Sequence, residues 1–261
     1  MTGRAATPIA GAGCPDVEIA YRATEGIARE QLIEAEATLS SEERRQRDRL
    51  RAAEDRRDYA AAHDLLRRSL SRHAGVAPDG WRFAKGANGK PYVDGPPALS
   101  FNLSHTRGLV ACGVGFDLPI GIDVERTDRP VDIEAIAGRC FSRAEIRAIV
   151  SRRDDARASF FELWTLKEAF IKAIGVGLAQ PLNTMSFALD EEGSIIFDPP
   201  DGFSAADWRF ALFAPSPNTR LAVAVRCRGD RDLWVGARSS ESDRAPALQP
   251  VATTLRVRAC G

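Results

Sequence analysis

ALSFNLSHTRGLVACGVGFDLPIGIDVER, residues 98–126, decides how the chain is read. Three short runs rich in apolar residues, Ala98 to Leu103, Leu109 to Phe116 and Ile120 to Val124, are separated by turn-forming residues at His105 to Gly108 and Asp117 to Pro119. Runs this short, joined this tightly, predict adjacent strands of one sheet. Upstream, Val17 to Ala23 alternates like a further strand, and Glu42 to Leu50 and Asp58 to His73 have helical spacing and composition. Gly75 to Pro97 is a Gly- and Pro-rich stretch. Downstream, helices are predicted at Ile133 to Arg139, at Ser142 to Arg152 with Ser142 as N-cap and Glu145 closing a capping box, and at Ala156 to Ile174, stopped by Gly175 and Gly177. Strands follow at Thr184 to Leu189, Ser194 to Phe197, Trp208 to Ala214, Arg220 to Val225 and Leu233 to Val235. This order predicts an α/β (α+β) fold of two halves with mainly antiparallel sheets packed with helices. No residue-level repeat links the halves. The ends, 1–14 and 239–261, are rich in small residues, Pro and Arg and are expected to be flexible tails.

At 261 residues, 44% hydrophobic and 28% charged, the chain is long enough to bury a large core around an enclosed site. Its 36 basic and 36 acidic residues cancel, which argues against general binding to nucleic acid or membrane. The first residues lack the apolar run of a leader or anchor, and no later run reaches a membrane-spanning length. Five dispersed cysteines, Cys14, Cys112, Cys140, Cys227 and Cys260, read as reduced thiols, so the expected location is cytoplasmic. Only four of the 36 basic residues are lysines, Lys85, Lys90, Lys167 and Lys172, leaving 32 arginines. Two clusters of surviving lysine suggest places where a compact ammonium does what a planar guanidinium does not, although chance survival would also produce them.

Three constellations carry chemistry. In GIDVER, Asp123 and Glu125 are two apart in a strand and share one face, with Ile122 and Val124 on the other. Two carboxylates on a half-buried strand repel and lose hydration unless a cation or proton joins them, and a hard divalent ion that also binds phosphate oxygens meets that need. An edge pair tied to Arg126 or Arg129 would account for the pattern equally well. In FFELWTLKEAFIKAIG, Phe160, Leu163, Leu166, Phe170 and Ile174 form the core stripe, while Trp164, Glu168 and Lys172 lie on one ridge with Lys167 beside them. A plain i, i+4 ion pair explains Glu168 and Lys172. A third carboxylate for the Asp123 and Glu125 site, with Lys172 facing a phosphate, explains them too. In LSFNLSHTRG, Asn102, Ser104 and His105 stand where a strand meets a turn and suit either a phosphate or a tied turn. Ser104 lacks the flanking glycines of a nucleophile elbow. Lys85 and Lys90 flank the glycine-containing loop AKGANGKP, which contains no Walker sequence.

FNLSH at 101–105, GIDVE at 121–125 and WTLKEAFIK at 164–172, in that order, resemble the signature of the Sfp-type 4′-phosphopantetheinyl transferases. Weaker likeness at 89–91, 140–145 and the Arg-rich helices of 42–70 extends it over roughly 20–235. The resemblance implies a pseudo-twofold pair of halves in one chain, 15–117 and 118–238, and a monomer. It implies a holo-[acyl-carrier-protein] synthase that moves the phosphopantetheine arm of coenzyme A to a serine of an acyl or peptidyl carrier protein, for fatty acid, polyketide or nonribosomal peptide synthesis. It assigns Mg²⁺, or Mn²⁺, to Asp123, Glu125 and Glu168. Lys90, Ser104, His105, Lys167 and Lys172 then contact the phosphates of coenzyme A, with Lys172 offsetting charge on the leaving 3′,5′-ADP and Glu168 as base for the carrier serine. Arg56 or Arg57 is implied for the 3′-phosphate, although LRAAEDRRDY departs from relatives with Arg or Lys before the Asp. Arg139, Arg143, Arg147, Arg152 and Arg153 offer a basic face to an acidic carrier, or simply a solvated one. Two rivals remain, a metal-dependent pyrophosphohydrolase that attacks with water and a noncatalytic coenzyme A-binding protein.

Overall fold

The computed structural model of the chain describes residues 16–227, 234–240, 248–254 and 256–257. In chain order the first elements are β1 (Val17–Ala23), α1 (Arg29–Thr38), α2 (Ser41–Arg49), α3 (Ala53–His73), β2 (Phe83–Lys85), β3 (Pro91–Val93), β4 (Leu99–Thr106) and β5 (Leu109–Phe116). Then come β6 (Ile120–Arg126), α4 (Ile133–Cys140), α5 (Arg143–Ser151), α6 (Ala156–Ile174), β7 (Ser186–Leu189), β8 (Ile195–Asp198), β9 (Trp208–Phe213), β10 (Thr219–Arg226), β11 (Trp234–Ser239) and β12 (Pro250–Thr253). The fold is mixed α/β with mainly antiparallel sheets. It divides into two compact units: described residues up to Leu118 with β11 form the first, and Pro119 onward with β12 the second.

The first unit packs α3 on a sheet that contains β11-β1-β5-β4 in that order, its core made of Leu65, Leu66 and Leu70 from the helix against Phe101, Val110 and Val114. The hairpin β4–β5 is continuous from Leu99 opposite Phe116 to Thr106 opposite Leu109, so the strand runs farther than its apolar run alone predicts and includes Ser104 and His105. β11 joins in parallel beside β1. Arg238 on β11 reaches Glu18 on β1 at 3.2 Å, and His73 at the end of α3 approaches the same carboxylate at 3.0 Å. Arg72 also donates to it. A second buried carboxylate, Glu43, closes the α2 capping box on Ser40 and binds His63 at 2.8 Å and Arg67 at 2.7 Å. Burial works against both charges, but these partners hold both carboxyls down at about 2.

The second unit packs α6 on a sheet in the order β12-β9-β10-β6, with Phe160, Phe170, Phe187 and Phe210 at the centre of its core. The predicted Ser142–Glu145 capping box opens α5. Gly175, at φ +70°, ends α6 in the left-handed conformation that only glycine takes without steric cost. Both units wire the same succession of one strand, three helices, a short two-stranded hairpin and a longer hairpin, and β1-β5-β4 in one answers β6-β10-β9 in the other. The repeat thus lies in the topology and not in the residues.

Four expectations need correction. The three runs of 98–126 do not share one sheet: β4 and β5 pair in the first unit, while β6 pairs with β10 in the second, because the unit boundary falls in the turn between β5 and β6. α1 was not foreseen, because REQLIEAEAT has no clear apolar stripe and buries only Ala35 and Thr38. The Gly- and Pro-rich stretch contains the hairpin β2–β3, which turns at Gly86 to Gly89. The tail expected from 239 holds β12, whose Ala252 enters the core against β9, and the strand beginning near 233 belongs to the first unit through β11. The expectation for residues 1–14, and the tail at 241–247, 255 and 258–261, lie outside the described residues.

Candidate active site

Gly121 sets the geometry of the second unit. A Cβ there would lie 2.0 Å from the Ala169 carbonyl oxygen and 2.3 Å from the Ala173 nitrogen, so only hydrogen lets the backbones of β6 and α6 approach this closely. Asp123 and Glu125 follow at strand period on the same face. They meet the helix successively closer to its start: Lys172 Nζ donates to Asp123 Oδ1 at 2.6 Å, and Trp164 Nε1 donates to Glu125 Oε1 at 3.0 Å. Arg129 grips Glu125 at two points, Nε to Oε2 at 2.9 Å and Nη2 to Oε1 at 3.3 Å. Of the two guanidinium partners open to the pair on sequence grounds, Arg126 turns instead to Asp128.

Glu168 lies on the ridge between Trp164 and Lys172. Burial pushes its carboxyl up to about 7, Asp123 and Glu125 push the same way, and Lys172 opposes them. Glu125 is also raised, by burial first and then by Asp123, against the pull of Arg129 and the hydrogen bonds it receives. The three carboxylates therefore feel one another's charge in a poorly hydrated place. Among the described residues no three His, Cys, Asp or Glu side chains form a ready-made metal cage, because Asp123 is turned to Lys172 and Glu125 to Arg129 and Trp164. The donor set itself is all oxygen and excess negative charge, which fits a hard divalent cation and does not fit zinc or a soft metal.

Lys167 departs from the expected role. Its side chain is 0% exposed and its ammonium is saturated by Glu145 at 2.9 Å, Leu182 O at 2.8 Å and Met185 O at 2.7 Å. Glu145, 1% exposed, also accepts from the backbone nitrogens of Ser142 and Phe187. A lysine so enclosed cannot touch a phosphate ligand. It joins α5, α6 and β7 as a structural ion pair, with burial pulling its pKa down and Glu145 pulling it back.

The remaining predicted residues lie in the first unit. Ser104 is buried on β4 with Asn102, and strand alternation turns exposed His105 to the opposite face, so the pair is less convergent than adjacency in sequence suggests. Lys90 stands at the end of the β2–β3 turn, where burial lowers its pKa to about 8. Arg56 spends its guanidinium on the carbonyls of Leu50 and Arg51, and Arg57 pairs with Asp58 at 3.1 Å. Sequence reasoning missed Asp58. Buried in α3, it accepts from Thr24 and, at 3.0 Å, from the nitrogen of Gly108, and so pins the turn that closes β4 and β5. An acid three, four and seven residues ahead of Ala61, Ala62 and Leu65, on the apolar stripe, was the available signal.

Residues 119–226, which contain the whole carboxylate site, match the model of the 4′-phosphopantetheinyl transferase superfamily. The chain is 35% identical over 199 residues to the 4′-phosphopantetheinyl transferase HetI of Nostoc sp., covering 75% of this chain and 81% of that protein. It is 35% identical over 189 residues to the 4′-phosphopantetheinyl transferase Sfp of Bacillus subtilis, with 72% and 82% covered. With the transferase psf-1 of Bacillus pumilus it shares 35% identity over 200 residues, covering 76% and 84%.

Proposed function

The chain belongs to the 4′-phosphopantetheinyl transferase family, and from that premise we propose that it moves the phosphopantetheine arm of coenzyme A to a serine of an acyl or peptidyl carrier protein, releasing adenosine 3′,5′-bisphosphate. The observation that carries this reading is the meeting of Asp123, Glu125, Glu168 and Lys172 between β6 and α6, inside the matched span. Phosphoryl transfer needs positioning and charge neutralisation more than covalent help from the enzyme, and this site supplies both.

Asp123, Glu125 and Glu168 would hold Mg²⁺ or Mn²⁺, which when bound screens the charge of the coenzyme A pyrophosphate. Glu168 accepts the proton of the carrier serine as its oxygen attacks the phosphorus. Lys172 exchanges Asp123 for the leaving bisphosphate and offsets the charge that gathers there. We assign Lys90, Ser104 and His105 to the phosphates of coenzyme A. Arg57, whose pairing with Asp58 leaves part of the guanidinium exposed, suits the 3′-phosphate better than Arg56, which is committed to two carbonyls. Exposed Arg143 and Arg147 on α5 offer an acidic carrier a basic face. The reading further takes the enzyme as a cytoplasmic monomer serving fatty acid, polyketide or nonribosomal peptide synthesis. Among the described residues no helix is long and apolar enough to cross a membrane.

The test is an incubation with coenzyme A, Mg²⁺ and an apo carrier protein, followed by intact mass of the carrier. Transfer adds about 340 Da to the carrier, the increment of a phosphopantetheine ester on serine, and Glu168→Gln abolishes the gain. Release of free phosphopantetheine with no gain on any carrier would mean a hydrolase instead.

A further inference from the structure

Arg129 is the charged side chain at the carboxylate site for which the transfer chemistry has no role. Its placement is built, not incidental. Arg157, in the first turn of α6, donates to the carbonyls of Thr127 and Arg129 and so fixes the loop after β6. The guanidinium groups of Arg129 and Arg157 both lie over the ring of Phe161, 5.2 and 5.5 Å from its centroid. The helix that presents Glu168 and Lys172 therefore also aims Arg129 at Glu125, where the two-point grip occupies both oxygens.

The charge count gives this arrangement a consequence. Asp123, Glu125 and Glu168 contribute at most −3 and Lys172 and Arg129 contribute +2, so these five side chains sum to no more than one negative charge. A bare divalent cation entering such a site must pull Glu125 away from a guanidinium and sit beside two positive groups. A cation that arrives on a polyphosphate brings anionic oxygens to which the displaced guanidinium and ammonium can turn. We propose that Arg129 is a specificity-determining counter-ion that discriminates against the free divalent cation and favours the cation carried on a polyphosphate. This rests on the transferase reading and adds an order of binding to it: cation and coenzyme A enter together.

The test is a titration of the full chain with Mn²⁺, followed by electron paramagnetic resonance of the free ion, with and without coenzyme A. Without coenzyme A, Arg129→Ala and Arg129→Gln bind Mn²⁺ at least about fivefold more tightly than the parent, the size expected for removing one nearby positive charge at a partly solvated site. Arg129→Lys, which keeps the charge, stays near the parent. With coenzyme A, the advantage of the Ala and Gln variants disappears. Equal Mn²⁺ affinity in the parent and the Ala variant, or tightening by Lys as strong as that by Ala, overturns the proposal. Mn²⁺ binding unchanged by Asp123→Asn and Glu168→Gln would instead remove the metal site on which the transferase reading depends, and the two failures are told apart by those variants.

Discussion

Replacing Gly121 by alanine tests whether the closeness of β6 and α6 is what assembles the site. The added methyl would sit 2.0 Å from the Ala169 carbonyl oxygen, 2.3 Å from the Ala173 nitrogen and 2.9 Å from the Ala173 Cα. These are backbone atoms of a helix with no rotamer to yield. A carbon and a carbonyl oxygen tolerate an approach of about 3.3 Å, so α6 must retreat from β6 by roughly 1.3 Å. That retreat opens the Lys172–Asp123 and Trp164–Glu125 bonds, now 2.6 and 3.0 Å, and draws Glu168 away from both other carboxylates. Overpacking of this kind costs about 1–3 kcal/mol, and a shift of about 1 Å in a positioned catalytic group costs on the order of 100-fold in rate. Urea unfolding gives the first quantity and the initial rate of carrier mass gain, at a temperature where the variant remains folded, gives the second. A Gly121→Ala protein that is folded and transfers within threefold or so of the parent rate would refute the reasoning, since a loss well short of that expected for misplacement would mean the site does not depend on this contact.

Two further outcomes concern stability. Lys167→Met leaves Glu145 as an uncompensated buried charge and should lower unfolding free energy by about 3–5 kcal/mol; a loss below about 1 kcal/mol, the range of an exposed pair, would mean that the pair is not buried as described. Glu18 and Glu43 have folded-state pKa values of about 2 against a reference of 4.5. Because these values are depressed, the stability they confer is present above pH 4.5 and drains away as pH falls toward 2, by roughly 3 kcal/mol for each group. Urea midpoints measured from pH 6 to pH 2 check this, and a Glu43→Gln variant, weaker at neutral pH, should show a shallower acid slope; an unchanged slope contradicts it.

Local period made much of this fold legible. β1, β5 and α6 fall where alternation and helical spacing place them, and the Ser142–Glu145 box was readable from two residues three apart. Shared parity of Asp123 and Glu125, and the ridge of Trp164, Glu168 and Lys172, gave most of the site. What stayed hidden depends on partners distant in sequence. The burial of Lys167 is written in Glu145 and in the carbonyls of Leu182 and Met185, none of which marks the lysine locally. Ser104 and His105 continue a strand because β5 pairs with them, although their own side chains look like a turn. Arg129 was one of two possible partners for Glu125, and only Arg157 and Asp128 decide between them.

The interleaving of the two units has a consequence for how the protein comes into being. The first sheet lacks β11 until residue 239 has been made, and the second lacks β12 until residue 253. A nascent chain emerging from the ribosome thus carries two sheets with open edges until residues 234–253 have been made, well after the residues of the carboxylate site. A chain cut before residue 234 therefore has every carboxylate of its site and neither sheet complete.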